Sequence, residues 1–164
     1  MTRGVQQLVL EVERVRDSFH HAVFTVPDVD EAMRAISADC VLLHLPMGTG
    51  ASSRDGLRRY LATDVLPHLP AALSFRRVAR TVDRWRVAEE AMVGFTHDRE
   101  LPWLLPDVAP THRRAEVLAI SVVTVQRARI TAHRTLWDHA GLCEQLHIDP
   151  SAVATTNNKA RASR

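Results

Sequence analysis

The stretch RITAHRTLWDHAGLCEQL, Arg129–Leu146, decides how the rest of the chain is read. Its first half carries β-branched residues and alternates polar with apolar positions, the period of a half-buried strand. Its second half places apolar residues at Ala140, Leu142, Cys143 and Leu146, a helical spacing. The stretch is expected to be a strand that runs directly into a short helix, with Asp138 at the junction. Aspartate is a strong helix cap. A carboxylate at a strand end can equally project into a cavity, so a structural and an acid/base role are both open. Strand parity groups Arg134, Leu136 and Asp138 on one face and His133, Thr135 and Trp137 on the other, unless a bulge intervenes.

Before this stretch, Glu116 to Gln126 is a strongly apolar strand that reaches it through a turn near Arg127. Leu73 to Trp85 and Val87 to His97 read as a hairpin with Asp83 near its turn. Residues 98–115 hold three prolines and little periodicity, which predicts a long loop of the kind that often carries function. Nearer the N-terminus, Val5, Leu8, Val12, Val15, Phe19 and Ala22 form one helical stripe that Pro27 ends. Asp28 with Glu31 predicts a capped second helix burying Val29, Ala32, Met33 and Ile36. Cys40 to Leu45 reads as a strand, Pro46 to Gly50 as a turn, and a third helix starts near Ser52 or Ser53 and presents Leu57, Tyr60, Leu61 and Val65. Helices set apart from a meandering sheet predict an α+β fold. One domain over 1–150 and an unstructured, small and polar tail over 151–164 are expected.

The chain has 164 residues, enough for one sizeable core, and a formal net charge of only +2. No basic stripe with aromatic partners is present, so nucleic acid is not an expected partner. No apolar run is long enough to span a membrane, and no apolar signal core follows Met1-Thr2-Arg3-Gly4. Two cysteines, Cys40 and Cys143, fit reduced thiols and a cytoplasmic location better than a disulfide scaffold. The nine histidines show no zinc spacing, and Gly48-Thr49-Gly50 lacks the lysine of a phosphate loop. No metal and no cofactor are therefore expected. The strand around Val117 to Val125 has too many apolar positions for a sheet with one wet face, which predicts a homodimer.

The order of elements resembles the nuclear transport factor two-like cone, a curved sheet wrapped around N-terminal helices to enclose a pocket. Local strings resemble its SnoaL-like polyketide cyclase branch: Pro46-Met47-Gly48-Thr49-Gly50, Arg80-Thr81-Val82, Phe95-Thr96-His97-Asp98, Trp103-Leu104-Leu105-Pro106, Pro110-Thr111, Trp137-Asp138 and Leu142-Cys143-Glu144-Gln145-Leu146. The resemblance covers roughly residues 12–150. It is specific for the fold and much less so for a reaction, since the superfamily holds cyclases, isomerases, dehydratases, epoxide hydrolases and binding proteins. After Pro110-Thr111 the family usually carries glycine, and here His112 stands.

The resemblance implies a small-molecule enzyme of secondary metabolism that cyclises, isomerises or hydrolyses a polyketide-like or cyclic substrate by general acid/base catalysis. It assigns the acid/base role to Asp138 and places His97 in the pocket, where an imidazole donates to an oxygen or relays a proton. It matches Glu90 to an acidic position. Glu89 points the other way in a regular strand, so one of the two is merely solvated. Substrate-binding positions are then Glu90, Arg134, Trp137, His44, Trp103 and Tyr60. Two alternatives stay open: a non-catalytic binding or interaction protein on the same fold, and epoxide-hydrolase-type chemistry. The last wants two aspartates around an arginine, of which only one aspartate is placed from the sequence.

Overall fold

A computed structural model describes residues 3–154. Helix α1 (Arg3–His20) buries Val12, Val15 and Phe19 of the expected stripe and leaves Leu8 exposed. It runs on through a π-helical turn, His21–Thr25. Helix α2 (Val29–Arg34) is capped as expected, with the Asp28 carboxylate accepting from the Asp30 and Glu31 amides. The Glu31 side chain pairs with Arg34 rather than closing a capping box.

Strand β1 (Ile36–Leu45) begins four residues earlier than its apolar run, so Ile36 is buried as a strand residue and not as helix. The segment read as a turn contains a short strand, β2 (Thr49–Ser52), paired antiparallel to β1. Gly50 makes that pairing possible: its φ is +143°, and a Cβ there would meet the Leu42 carbonyl oxygen at 2.0 Å. Helix α3 (Arg54–Tyr60) starts on the Ser53 cap and buries Leu57 and Tyr60. Strands β3 (Ala71–Val82) and β4 (Arg86–Thr96) form the expected hairpin, and Asp83 closes its turn by accepting from the Trp85 and Arg86 amides.

Strands β5 (Arg114–Gln126) and β6 (Arg129–Trp137) are joined at Arg127 and Ala128, both at positive φ, the backbone of a tight hairpin. Helix α4 (His139–Leu146) follows directly. The six strands lie in the order β2-β1-β6-β5-β4-β3, parallel only between β1 and β6. This is the α+β cone: a curved, unclosed sheet whose concave face receives α1 and α3. The long loop between β4 and β5 sends Leu101, Trp103, Leu104 and Leu105 fully into the core, which explains why it shows no surface-type periodicity. Val153 is buried, and Ala154 donates to the Pro106 carbonyl. The rest of the expected tail, 155–164, lies outside the described residues. Among the described residues no helix is long and apolar enough to cross a membrane.

One irregularity in β6 controls what faces inward. Val125 pairs with Ile130 while Thr124 pairs with Ala132, so Thr131 is an extra residue on β6. Ile130 faces the core, and beyond the bulge His133, Thr135 and Trp137 face it too. Arg134 and Leu136 point outward and are exposed.

Candidate functional site

Between α1 and the concave sheet lies a cavity of about 50 Å³, or about 440 Å³ when its open mouth is included. Its depth is formed by His44 on β1 and by His133, Thr135 and Trp137 on β6. Ser121 and Ala119 on β5 and Ala91 and Val93 on β4 complete the floor. His20, Phe24 and Phe75 frame the mouth and are only partly buried. Their rings touch: His20 to Phe75 4.5 Å edge-on, Phe24 to Phe75 4.9 Å, and His20 to Phe24 5.0 Å. Phe24 sits on the π-helical turn, where the extra residue per turn swings its ring towards the mouth. A smaller chamber of about 20 Å³ adjoins it, and His44 and His133 line both.

The imidazoles are held neutral. Burial lowers His44 to about 4. Burial, then the charges and dipoles of His44, Arg16 and His20, lower His133 to about 3. Burial, with Arg16 adding to it, lowers His20 to about 4. The tautomer of His44 is fixed by its neighbour: Trp137 Nε1–H donates to His44 Nδ1 at 3.1 Å, so the ring proton sits on Nε2. His44 therefore offers a hydrogen-bond donor on its remaining nitrogen. His133 Nδ1 is buried without a partner, as is the Tyr60 hydroxyl in the smaller chamber. Trp103 backs the site, 5.6 Å from His44 and 5.9 Å from Trp137 between ring centres.

One wall is ionic. Glu89 Oε1 accepts from Arg16 at 2.6 Å, and Oε2 accepts from Arg80 at 2.6 Å and Arg77 at 3.1 Å. Arg80 also holds Asp17 at 2.7 Å, and Arg16 holds it at 3.1 Å. Burial would raise Asp17, but these two guanidiniums outweigh it and hold the carboxyl below its ordinary value.

The structure sorts the expected site residues into two groups. His44 and Trp137 line the cavity, Trp103 packs behind it and Tyr60 lines the adjoining chamber. Arg134 and Glu90 are on the outer face, because parity that buries Val87, Ala91 and Val93 turns Glu89, not Glu90, inward. Asp138 is exposed and caps α4, its carboxylate accepting from the Gly141 amide at 2.9 Å. His97 is fully buried but away from the cavity lining, with Nδ1 accepting from the Thr111 amide at 3.2 Å. His112 is exposed and adopts φ +57°, the backbone that glycine favours at that turn.

Sequence reasoning passed over Arg16, Glu89 and His133 as site residues. Arg16 stands four residues after Val12 and three before Phe19, so the helical stripe itself places it on the buried face. Arg80 stands between two carboxylates, Asp17 and Glu89, of which one is a glutamate where epoxide-hydrolase chemistry wants an aspartate, and only Glu89 lines the cavity.

No protein-family model matches the sequence, and no curated protein matches it. Solved structures do match. A protein from Jannaschia described as a SnoaL-like polyketide cyclase superposes with a TM-score of 0.69 at 13% identity, covering 92% of this chain and 98% of that one. An LEH-like epoxide hydrolase from M. tuberculosis gives 0.63 at 16% identity, covering 85% and 91%. A protein of ketosteroid isomerase-like fold from Catenulispora acidiphila, solved with trimethylamine, gives 0.64 at 10% identity, covering 84% and 95%. At these identities the likeness concerns the fold, and the chain has the nuclear transport factor two-like fold that SnoaL-like proteins share.

Proposed function

We propose that this chain binds a small cyclic molecule carrying a carbonyl or hydroxyl oxygen in the cavity and polarises that oxygen through His44, as the electrophilic half of a cofactor-independent isomerisation or cyclisation. The observation that carries this is His44 itself: a buried neutral imidazole, its tautomer set by Trp137, with Nε2–H as its free donor in a largely apolar cavity. A neutral imidazole is a good electrophile because it donates without first losing a charge to desolvation. The accepting role falls to neutral His133, a weak base that depends on His44 to acidify the carbon next to the carbonyl. Solved relatives of the fold with bound small molecules support a ligand-binding cavity. The cavity size favours one ring over a fused polyketide skeleton.

Binding without turnover is the second reading, favoured because both Glu89 oxygens are occupied and Asp138 faces solvent, leaving no free carboxylate in the cavity. Deuterium exchange at the carbon next to the carbonyl of acetophenone-sized and cyclic ketones separates the two. Turnover predicts exchange that His44→Phe and His133→Phe each slow by about a hundredfold and Asp138→Asn leaves intact. Ketone binding without exchange supports the carrier reading, and no binding rejects both.

The working unit is proposed to be a cytoplasmic homodimer. The outer face presents Val122 and Leu136, 39% and 52% exposed, beside Leu118 and Ile120, and a second copy of the same face would cover them. Light scattering at micromolar concentration should give twice the chain mass; a monomer rejects this.

A further inference from the structure

The ionic wall of the cavity has a composition that bears on what the cavity admits. Its buried members are Arg16, Glu89 and Arg80, with side chains 10%, 6% and 9% exposed. Around them stand Asp17, Glu13 and Arg77, all more exposed; Glu13 reaches Arg80 at 3.6 Å. Three guanidiniums thus meet three carboxylates, and the wall carries no net formal charge. The remaining polar groups of the cavity are neutral: Ser121, Thr135 and three imidazoles. Arg16 and Glu89 both line the cavity and pair with each other at 2.6 Å; Arg16 also holds Asp17, and its Nε is buried without a partner.

We propose that Glu89 is a specificity-determining residue: by neutralising Arg16 it makes the cavity select uncharged ring compounds and reject the corresponding acids and amines. This rests on the cavity being the ligand site. A ligand carboxylate would have to compete with Glu89 and Asp17 for the Arg16 guanidinium, whose one unpartnered nitrogen, Nε, is buried out of reach of solvent. A ligand ammonium would find Glu89 already engaged on both oxygens by three arginines. Either charge would also exchange water for apolar walls at Phe24, Phe75 and Val93. An uncharged carbonyl compound incurs none of these costs and meets the His44 donor. The same logic makes the selectivity reversible, because removing one partner leaves the wall one formal charge out of balance and frees the edge of the other partner that it held, Arg16 keeping Asp17 and Glu89 keeping Arg80 and Arg77.

Four probes of one ring size test this: acetophenone, benzoate, benzylammonium and toluene, titrated by ligand-observed NMR. The wild type should bind acetophenone about tenfold or more tightly than either ion. Glu89→Gln should raise benzoate affinity about tenfold or more, and Arg16→Gln should do the same for benzylammonium, with toluene binding unchanged in both as the sign of an intact cavity. Should one variant fail to fold, the other and the wild-type series still decide. Wild-type preference for benzoate or benzylammonium, or equal binding of all four, overturns the selectivity while leaving the cavity reading in place. Ion preferences that do not move in a folded variant assign the selectivity elsewhere and overturn the role of Glu89. Failure of every probe to bind the wild type removes the cavity reading and this inference with it.

Discussion

Two regions of the molecule offer a histidine and a carboxylate, and they differ in what those groups are already doing. At the end of the sheet, Asp138 is committed to the Gly141 amide and His97 Nδ1 to the Thr111 amide, while His97 Nε2 is buried without a partner and away from the cavity lining. Within the cone, His44 and His133 line the cavity; His44 Nδ1 is held by one tryptophan, and His133 Nδ1 is buried without a partner. A polar group whose hydrogen bonds are satisfied by local backbone is holding the fold together. A buried one facing a cavity is held there at a cost in desolvation that a hydrogen-bonding ligand would offset. The lesson is to ask of each candidate which backbone amide it already serves.

The sharpest way to break the comparison is at the adjacent acids of β4. Glu89→Ala leaves Arg16 buried with only Asp17 as a partner and should cost about 3–5 kcal/mol in urea unfolding. Glu90→Ala, on the outer face, should stay within about 0.5 kcal/mol. Equal small effects would mean that the inner ionic wall is solvated.

Acid sharpens it next. Unfolded, His44 has an ordinary value near 6.5, and in the fold it is about 4. Between those pH values the unfolded chain takes up a proton that the folded chain refuses. Stability is therefore complete above about pH 6.5 and falls as the pH drops towards 4, by about 1.4 kcal/mol per unit for one such group, or about 3 kcal/mol for His44 alone. His133 and His20 are shifted the same way and add to the slope. Urea midpoints at pH 7, 5.5 and 4.5 should fall steadily, and His44→Phe should flatten the fall. A midpoint that does not change would show the imidazoles to be solvated.

How far the sequence carried this picture follows from where each signal is local. Periodicity placed the four α-helices of the described residues and the long strands, and the Arg129–Leu146 stretch does pass from strand to helix at Asp138; the short 3-10 turn Pro150–Ala152 falls where an unstructured tail was expected. The same local logic could separate Glu89 from Glu90 only in pair, since alternation tells which residues share a face and not which face is inward. Pairing across strands settles that, and the bulge at Thr131 shows why: Ile130 and His133 both face the core although they are three apart. The strings that resemble SnoaL-like proteins pointed to the fold that the structure has. They drew attention to Asp138, which caps α4, and to His97, whose Nδ1 accepts from the Thr111 amide and whose Nε2 is buried without a partner. Arg16 was legible from its place in the α1 stripe, but a charge on an apolar face becomes meaningful only once its partner, 73 residues away, is known.

The smallest effect tests the commitment of Asp138 to the helix. Asp138→Ala should cost about 1 kcal/mol and Asp138→Asn close to nothing, the ordinary pattern for a cap, with ketone exchange unchanged in both. Gly141 makes the test stricter. A Cβ at that position would stand 2.2 Å from Asp138 Oδ2, so Gly141→Ala in the wild type must push the carboxylate off the amide it caps. That loss should offset or exceed the gain of about 1 kcal/mol that alanine brings over glycine inside a helix. In the Asp138→Ala background the obstacle is gone, and Gly141→Ala should then stabilise by close to that full amount. The substitution is thus expected to change from neutral or harmful to favourable when the aspartate is removed. A cycle of the four proteins measured by urea unfolding reads that coupling directly. Additive effects would mean that Asp138 is not engaged by the Gly141 amide in solution, and would return its carboxylate to the candidates for chemistry.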